Sequence, residues 1–233
     1  MLSCHPSLDI LTDYSSGTLP LAHALGVSVH LDQCPHCREQ MRRLNNVGAE
    51  LFAEQIIDSR PEHMASLKSN VLAAIANSDQ PVAHSKHESE QETVFQHIPR
   101  SLRRLIPKGF NELNWMPLTP SFRLATLSDE AGGPQIALSR VKPGARLPNH
   151  THTGNEITVV LKGAFSDDEG LYREGDFICR DHNHKHQPRV TKDAECICLI
   201  ILDSPIEFTG WLTRFLNPIM RYFHPNKGNA LPS

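Results

Sequence analysis

The sequence predicts two domains, a small all-α domain followed by an all-β barrel. Apolar residues recur at helical spacing in the first third of the chain. A polar segment with almost no large apolar residue follows, and after it come short β-branched segments bounded by Gly, Pro or Asp. We therefore expect a helical domain at 1–80, a flexible linker at 81–93, a barrel at 94–215 and a tail at 216–233 that could form a short helix.

Composition excludes several classes of protein. The chain has 233 residues, 39% of them hydrophobic, and a net charge of −3 without a dominant basic stripe, so we expect no direct contact with nucleic acid. The N-terminus has neither the basic nor the apolar region of a secretory signal, and no apolar run approaches the roughly 20 residues that a bilayer requires. We expect a cytoplasmic protein without membrane contact, in which the six cysteines are ligands or buried thiols rather than disulfides.

Four helices are predicted in the first domain. Ser7 is a suitable N-cap for the first helix, and Pro35 suits the first turn of the third. Gly17 and Pro20 end the first helix. The four helices are expected at residues 8–14, 21–31, 35–52 and 61–77.

Short strands are predicted in the second domain. The clearest segments lie at residues 136–142, 157–161, 171–172 and 197–202. Because turns rich in Gly, Pro and Asp separate them, they predict a small barrel or jelly roll. The stretch 211–223 could be an amphipathic helix, although Pro218 interrupts it.

The first candidate metal site is the pattern His30-x3-Cys34-x2-Cys37. Spacings of four and three can bring these side chains together at a helix end and the turn that follows. Mixed thiolate and imidazole donors favour a closed tetrahedral zinc site, for which His5 would be the fourth ligand. Cys4, His23 and His36 remain rivals for that fourth position.

Two other interpretations of the cysteine pair stay open. A thioredoxin-like redox pair would need a βαβ context, which the sequence does not offer. Cys34 and Cys37 could also be plain core thiols. A zinc site would tie together helices that are individually too short to be stable in water.

The same pattern resembles the zinc-binding anti-sigma domain. In that family a His-x3-Cys-x2-Cys core is paired with an upstream His or Cys. The segment from His5-Pro6 through Leu11, Tyr14 and Gly17 is also similar to the family's first helix and turn. The resemblance covers about residues 1–80.

The second candidate metal site is His150-x-His152-x3-Glu156. Side chains two or four residues apart point to the same face of a strand, so these three could share one metal. With Gly144 before them and Gly163 after them, they match the first sequence motif of the cupin family at every fixed position. Imidazole and carboxylate donors suit zinc, manganese, iron, nickel or copper.

A fourth ligand is expected from a neighbouring strand. The second cupin motif begins with a glycine turn and ends in His, which places His186 eleven residues after Gly175. The Pro-x-Gly that the motif expects is replaced here by Asp-His-Asn at 181–183. His182 and His184 share the parity of His186, so they remain alternatives to it.

A zinc-binding anti-sigma domain followed by a cupin jelly-roll domain resembles the ChrR-like anti-sigma factors. The resemblance implies that the helical domain sequesters an extracytoplasmic-function sigma factor. It also implies that the cupin senses oxidative stress, as singlet oxygen or peroxide, and causes release. The implied zinc ligands are His5, His30, Cys34 and Cys37, and those of the cupin divalent metal are His150, His152, Glu156 and His186.

Two alternatives compete with a transcriptional regulator. One is a metal-dependent cupin enzyme such as a dioxygenase, in which the metal keeps an open position. The other is a ligand sensor in which no chemistry follows binding. A cupin enzyme would not need a zinc-bound helical domain, and no general acid or base stands out besides the ligands, so we expect a non-enzyme. A homo-oligomer formed through the cupin domain stays open.

Overall fold

A computed structural model of the chain describes most of both predicted domains. The described residues are 2–54, 61–77, 95, 97–128, 132–181, 184–211, 213–218, 221 and 224–225. The predicted linker at 81–93 lies outside them, as does most of the predicted tail at 216–233.

The N-terminal part contains the four predicted helices, each ending within about two residues of its expected end. They are α1 (Leu8–Ser16), α2 (Leu21–Gln33), α3 (Pro35–Ala53) and α4 (Pro61–Ala76). The Ser7 hydroxyl accepts the backbone N–H of Ile10 at 3.3 Å and so caps α1 as expected. Cys34 ends α2 and also begins α3, where its Sγ accepts the N–H of Cys37 at 3.4 Å. The second half of the predicted zinc pattern is therefore a helix junction.

The second part is a β domain, as predicted. Its strands in the described residues are β1 (Met116–Thr119), β2 (Phe122–Ser128), β3 (Gln135–Val141), β4 (His150–His152), β5 (Glu156–Lys162), β6 (Ala164–Ser166), β7 (Leu171–Arg173), β8 (Phe177–Arg180), β9 (Lys185–His186), β10 (Arg189–Val190), β11 (Cys196–Leu202) and β12 (Ile206–Phe208). An antiparallel sheet runs in the order β1-β2-β3-β11-β5-β8. Two three-stranded sheets, β10-β6-β7 and β12-β4-β9, complete the cupin-like architecture.

The predicted C-terminal helix is described only in part. Within 211–223 the described residues form a 3₁₀ turn at Thr213–Leu216. Among the helices in the described part of the chain, none has the length and apolar character needed to cross a membrane.

The central strands β5 and β11 are buried on both faces. Ile157, Val159 and Leu161 of β5 pack in the same cluster as the helices, whereas Val160 between them packs toward the other face of the sheet. Strand β11 alternates in the same way, with Leu199 on the helix side. The continuous apolar runs of these two strands are therefore explained by a helix layer on the outer face of the sheet.

Helix α2 is the element that covers this outer face. Its residues Val27 and Val29 are fully buried in one cluster with Phe177 of β8 and Ile201 of β11. The helical part and the β part thus share one hydrophobic core.

Close packing of α2 on the sheet leaves little room for a side chain at position 26. A Cβ atom placed there would lie 3.0 Å from Ile201 Cδ1 and 3.1 Å from Ile157 Cγ2, closer than van der Waals contact. Polar contacts lie at both ends of α2. Near its start, His23 Nε2 lies 2.9 Å from Asp203 Oδ1. At the other end of α2, Asp32 Oδ2 accepts the Ser101 N–H at 2.8 Å.

We predict that Gly26→Leu destabilises the chain by about 2 kcal/mol, because a large side chain must be inserted into a packed interface. Gly48→Leu is the matched control, since a Cβ at Gly48 of α3 meets no atom within 4 Å. The control should be neutral or slightly stabilising, since leucine forms helices better than glycine does. Chemical denaturation of both variants measures the difference, and equal stabilities would show that α2 does not pack on the sheet.

Candidate metal centres

The helical part brings His5, His30, Cys34 and Cys37 together. One donor atom from each of the four lies within 4.8 Å of every other. His5 Nδ1 is 3.4 Å from Cys34 Sγ and 3.4 Å from Cys37 Sγ. Tetrahedral zinc with its usual bond lengths separates a nitrogen and a sulfur ligand by about 3.6 Å. The spacing of the donors therefore fits a zinc ion.

His30 is fully buried and has one ring nitrogen without a partner. Its Nδ1 donates a hydrogen bond to the carbonyl oxygen of Gly175 at 2.7 Å, and its Nε2 has no hydrogen-bond partner among the described residues. Burial lowers the pKa of His30 to about 4, which keeps the ring neutral at physiological pH. A buried, neutral imidazole with a free Nε2 lone pair is suited to bind a metal.

The charge state of the thiols would change on binding a cation. Burial and the neighbouring Cys34 raise the pKa of Cys37 to about 12, so the thiol stays protonated when no positive charge is present. A bound dication would stabilise both sulfurs as thiolates, the form that zinc binds. The donor set, of which His30, Cys34 and Cys37 are buried, therefore fits the predicted structural zinc.

The rivals for the fourth position lie elsewhere. His23 is next to Asp203, and the backbone of Cys4 is bonded to the β domain. His36 has its ring centre 5.1 Å from that of His5, but it does not join the group of converging donors.

The β part brings His150, Glu156 and His186 together. Their donor atoms lie within 4.8 Å of one another, and all three residues are buried. The Nε2 atoms of the two histidines face each other at 2.9 Å, because β4 and β9 pair with His150 opposite His186. Two ring nitrogens directed at one point form a natural pair of ligands for a divalent metal.

Hydrogen bonds fix the orientation of these ligands. His150 Nδ1 donates to the carbonyl oxygen of Pro148 at 2.9 Å, and His186 Nδ1 donates to Asp167 Oδ2 at 3.1 Å. Each bond leaves Nε2 directed at the shared site, which is the usual arrangement around a metal-binding histidine. The Thr158 hydroxyl donates to Glu156 Oε1 at 2.6 Å and holds the carboxylate in place.

Asp167 and Arg180 support the site, and the sequence analysis did not identify them. Burial opposes ionisation of the Asp167 carboxyl. Hydrogen bonds from His186 and from the Glu169 N–H, together with the charge of Arg180, outweigh this effect, so the pKa of Asp167 is lowered. The Arg180 guanidinium, which is buried, lies 2.6 Å from Asp167 Oδ2 and also donates to the hydroxyl of Tyr172. Neither residue belongs to a ligand motif, so only the folded arrangement reveals its role.

The remaining predicted residues have different outcomes. His152 lies on β4 opposite Ile206, but its side chain is outside the described residues, as is His182. His184 lies apart from the cluster, with Nδ1 2.7 Å from Asp181 Oδ1. His186 is the member of that His-rich stretch which the structure places beside His150.

The ligands face the interior of the barrel. A cavity of about 80 Å³ is lined mainly by apolar side chains, among them Phe122, Ile178 and Phe208, together with the three candidate ligands. Cys196 and Cys198 line the same cavity, and their sulfur atoms are 3.6 Å apart. An apolar surrounding strengthens the interaction between a metal and its charged ligands.

Comparisons with known proteins agree with both halves of this architecture. Residues 107–204 match the family model of the ChrR cupin-like domain. The chain is 32% identical to the anti-sigma-E factor ChrR of Cereibacter sphaeroides over 218 residues, which is 93% of this chain and 97% of that protein. It also matches a chain in the crystal structure of Rhodobacter sphaeroides SigE in complex with the anti-sigma ChrR, with 28% identity, a TM-score of 0.70 and coverage of 87% of this chain and 99% of that chain.

We predict that Asp167→Asn weakens metal binding at His150, Glu156 and His186 by about 10-fold to 100-fold, because the His186 ring loses its charged partner. The neighbouring exposed Asp168→Asn is the matched control. Competition with a chelator measures the affinity. Equal affinity in both variants would contradict the orienting role of Asp167.

Proposed function

We propose that the chain, which belongs to the ChrR family of anti-sigma factors, sequesters an extracytoplasmic-function sigma factor in the cytoplasm. The members named above are regulators of transcription, so the chain is a regulator rather than a metal-dependent enzyme. The similar chain in the crystal structure is bound to SigE, which supports a sigma factor as the partner here.

Exposed apolar side chains on α3 and α4 carry this proposal. Near the end of α3, Leu51 and Phe52 are 62% and 65% exposed. Every described side chain of α4 is exposed, including Leu67, which is 59% exposed, and Val71. Exposed large apolar side chains that lie together along one helix, as those of α4 do, mark an interaction site.

The apolar residues of α4 have the spacing of a docking helix. Leu67, Val71 and Ile75 are four residues apart, and Leu72 lies between them on the adjoining face. The opposite face carries Ser69 and Asn70. An amphipathic helix of this kind binds by laying its apolar side into a groove of its partner.

The zinc site would hold the rest of the helical domain in shape for binding. Helix α1 has 9 residues and α2 has 13, and isolated helices of that length are marginal in water. Zinc bound by His5, His30, Cys34 and Cys37 would join the segment before α1 to the junction of α2 and α3. The zinc would thus have a structural role.

The cupin domain would act as the sensor. We propose that His150, His152, Glu156 and His186 hold a divalent metal, of which zinc, manganese, iron and nickel are candidates. Oxidative stress, as singlet oxygen or peroxide, would alter this site and cause release of the sigma factor. The packing of α2 on β5 and β11 supports a route from one domain to the other, since Glu156 is the first residue of β5.

We predict that replacing Leu67 and Val71 together by Asp raises the dissociation constant for the sigma factor at least about 100-fold, because two buried apolar contacts are lost. Replacing Ser69 and Asn70 by Asp adds the same charge to the opposite face of α4 and is the control. Calorimetry on the purified pairs measures the constants. If both double variants bind equally well, the apolar face of α4 is not the docking surface.

We also predict that His150→Ala or Glu156→Ala leaves sigma binding nearly intact but abolishes release under oxidative stress. The site lies in the cupin domain and not on the proposed docking helix α4, so it should affect the complex only through coupling of about 1–3 kcal/mol. Sigma-dependent transcription with and without oxidant is the measurement. Constitutive transcription in unstressed cells, with the variant protein present at normal levels, would mean that the cupin is part of the inhibitory contact.

A further inference from the structure

We infer that Asp176 of the cupin domain is a positioning residue for the zinc site of the helical domain. Together with the adjacent carbonyl group of Gly175, it fixes two of the four zinc ligands from outside their own domain. The inference rests on the proposed zinc site and is independent of sigma binding.

The first contact is between His30 and the turn that joins β7 to β8. Because a carbonyl oxygen can only accept, the bond of 2.7 Å to the Gly175 oxygen places the proton on His30 Nδ1. That tautomer leaves the lone pair of Nε2 free for a metal. Outer hydrogen bonds of this kind orient the ring of a metal-binding histidine, and here the acceptor lies 145 residues away in the sequence.

The second contact is between Asp176 and the segment that precedes His5. Asp176 is 1% exposed, and its Oδ1 accepts the N–H of Ser3 at 2.8 Å and the N–H of Cys4 at 3.1 Å. The Phe177 N–H donates in return to the Cys4 carbonyl oxygen at 3.1 Å. The segment is thus held on both sides immediately before His5, which places that imidazole next to the cysteines.

The turn is shaped to make both contacts at once. Gly175 has a φ of +92°, a conformation that side-chain-bearing residues rarely adopt, and a Cβ there would lie 2.7 Å from Leu2 Cδ2. Asp176 Oδ2 accepts the Arg173 N–H at 2.8 Å, which keeps the turn closed. One carboxylate therefore shapes the turn and binds the N-terminal segment.

These contacts are distinct from the general docking of the two domains. His23 and Asp203 meet at 2.9 Å near the start of α2, and Asp32 meets Ser101 at its end. Both pairs involve residues other than those that Asp176 and Gly175 bind. A role in docking alone and a role in positioning zinc can therefore be separated by mutation.

The test uses the full-length chain loaded with zinc, and in parallel with cobalt(II). Asp176→Ala removes the carboxylate, and Ser3→Pro removes the N–H and the hydroxyl that Ser3 donates to it while leaving the turn residues unchanged. Asp203→Asn is the docking control. Zinc transfer to a coloured chelator gives the rate of loss, and the thiolate-to-cobalt absorption reports the site that contains Cys34 and Cys37.

We expect Asp176→Ala and Ser3→Pro to lose zinc about tenfold faster than the unmodified chain and to shift the thiolate-to-cobalt band. Asp203→Asn should keep the original rate and spectrum. If Asp176→Ala does not fold, the zinc-loss rate and cobalt spectrum of Ser3→Pro alone test the inference.

The inference is overturned if both variants keep the original rate and spectrum. It is equally overturned if Asp203→Asn accelerates zinc loss as much as they do, since docking alone would then explain the effect. Absence of a thiolate-to-cobalt band in the unmodified chain would instead refute the zinc site itself.

Discussion

The packing of α2 against the outer face of the six-stranded sheet is the interaction on which the rest of the structure depends. It buries the second face of β5 and β11, which would otherwise expose a continuous apolar surface to water. It also carries His30 to the turn between β7 and β8. Without this contact the helices would lose most of their core, because α1 and α2 are short and the described side chains of α4 are exposed.

Strand β8 connects the surroundings of the two candidate metal sites. Its first residue, Phe177, is bonded to the segment before His5, and its last residue, Arg180, is paired with Asp167, which in turn holds His186. The outer contacts of both sites therefore lie at the two ends of one four-residue strand. Under the proposed sensor role, this strand would be the shortest connection between the candidate cupin metal site and the helical domain.

Much of this architecture was predictable from local sequence patterns. Helical periodicity gave the helices, and the spacing of Cys34 and Cys37 indicated ligands that the fold brings together. The docking of α2 on the sheet was not predicted, because the composition of a linker does not determine whether the two domains contact each other. The signal available for this docking was the unbroken apolar run of β11, in which neither face of the strand carries charged residues. Asp167 and Arg180 escaped prediction because an isolated carboxylate and guanidinium have no periodic or motif signature.

The claim that the two domains form one cooperative body can be tested most directly by amide hydrogen exchange. The full-length chain should be compared with its Cys34→Ser/Cys37→Ser variant, which lacks both candidate thiolate ligands. Loss of protection in α1 to α3 should be accompanied by loss in the turn at 174–176 and in β8. The turn contacts the candidate zinc ligand His30, and β8 is bonded to Cys4 beside His5. Loss confined to the helices, with β8 fully protected, would contradict the account.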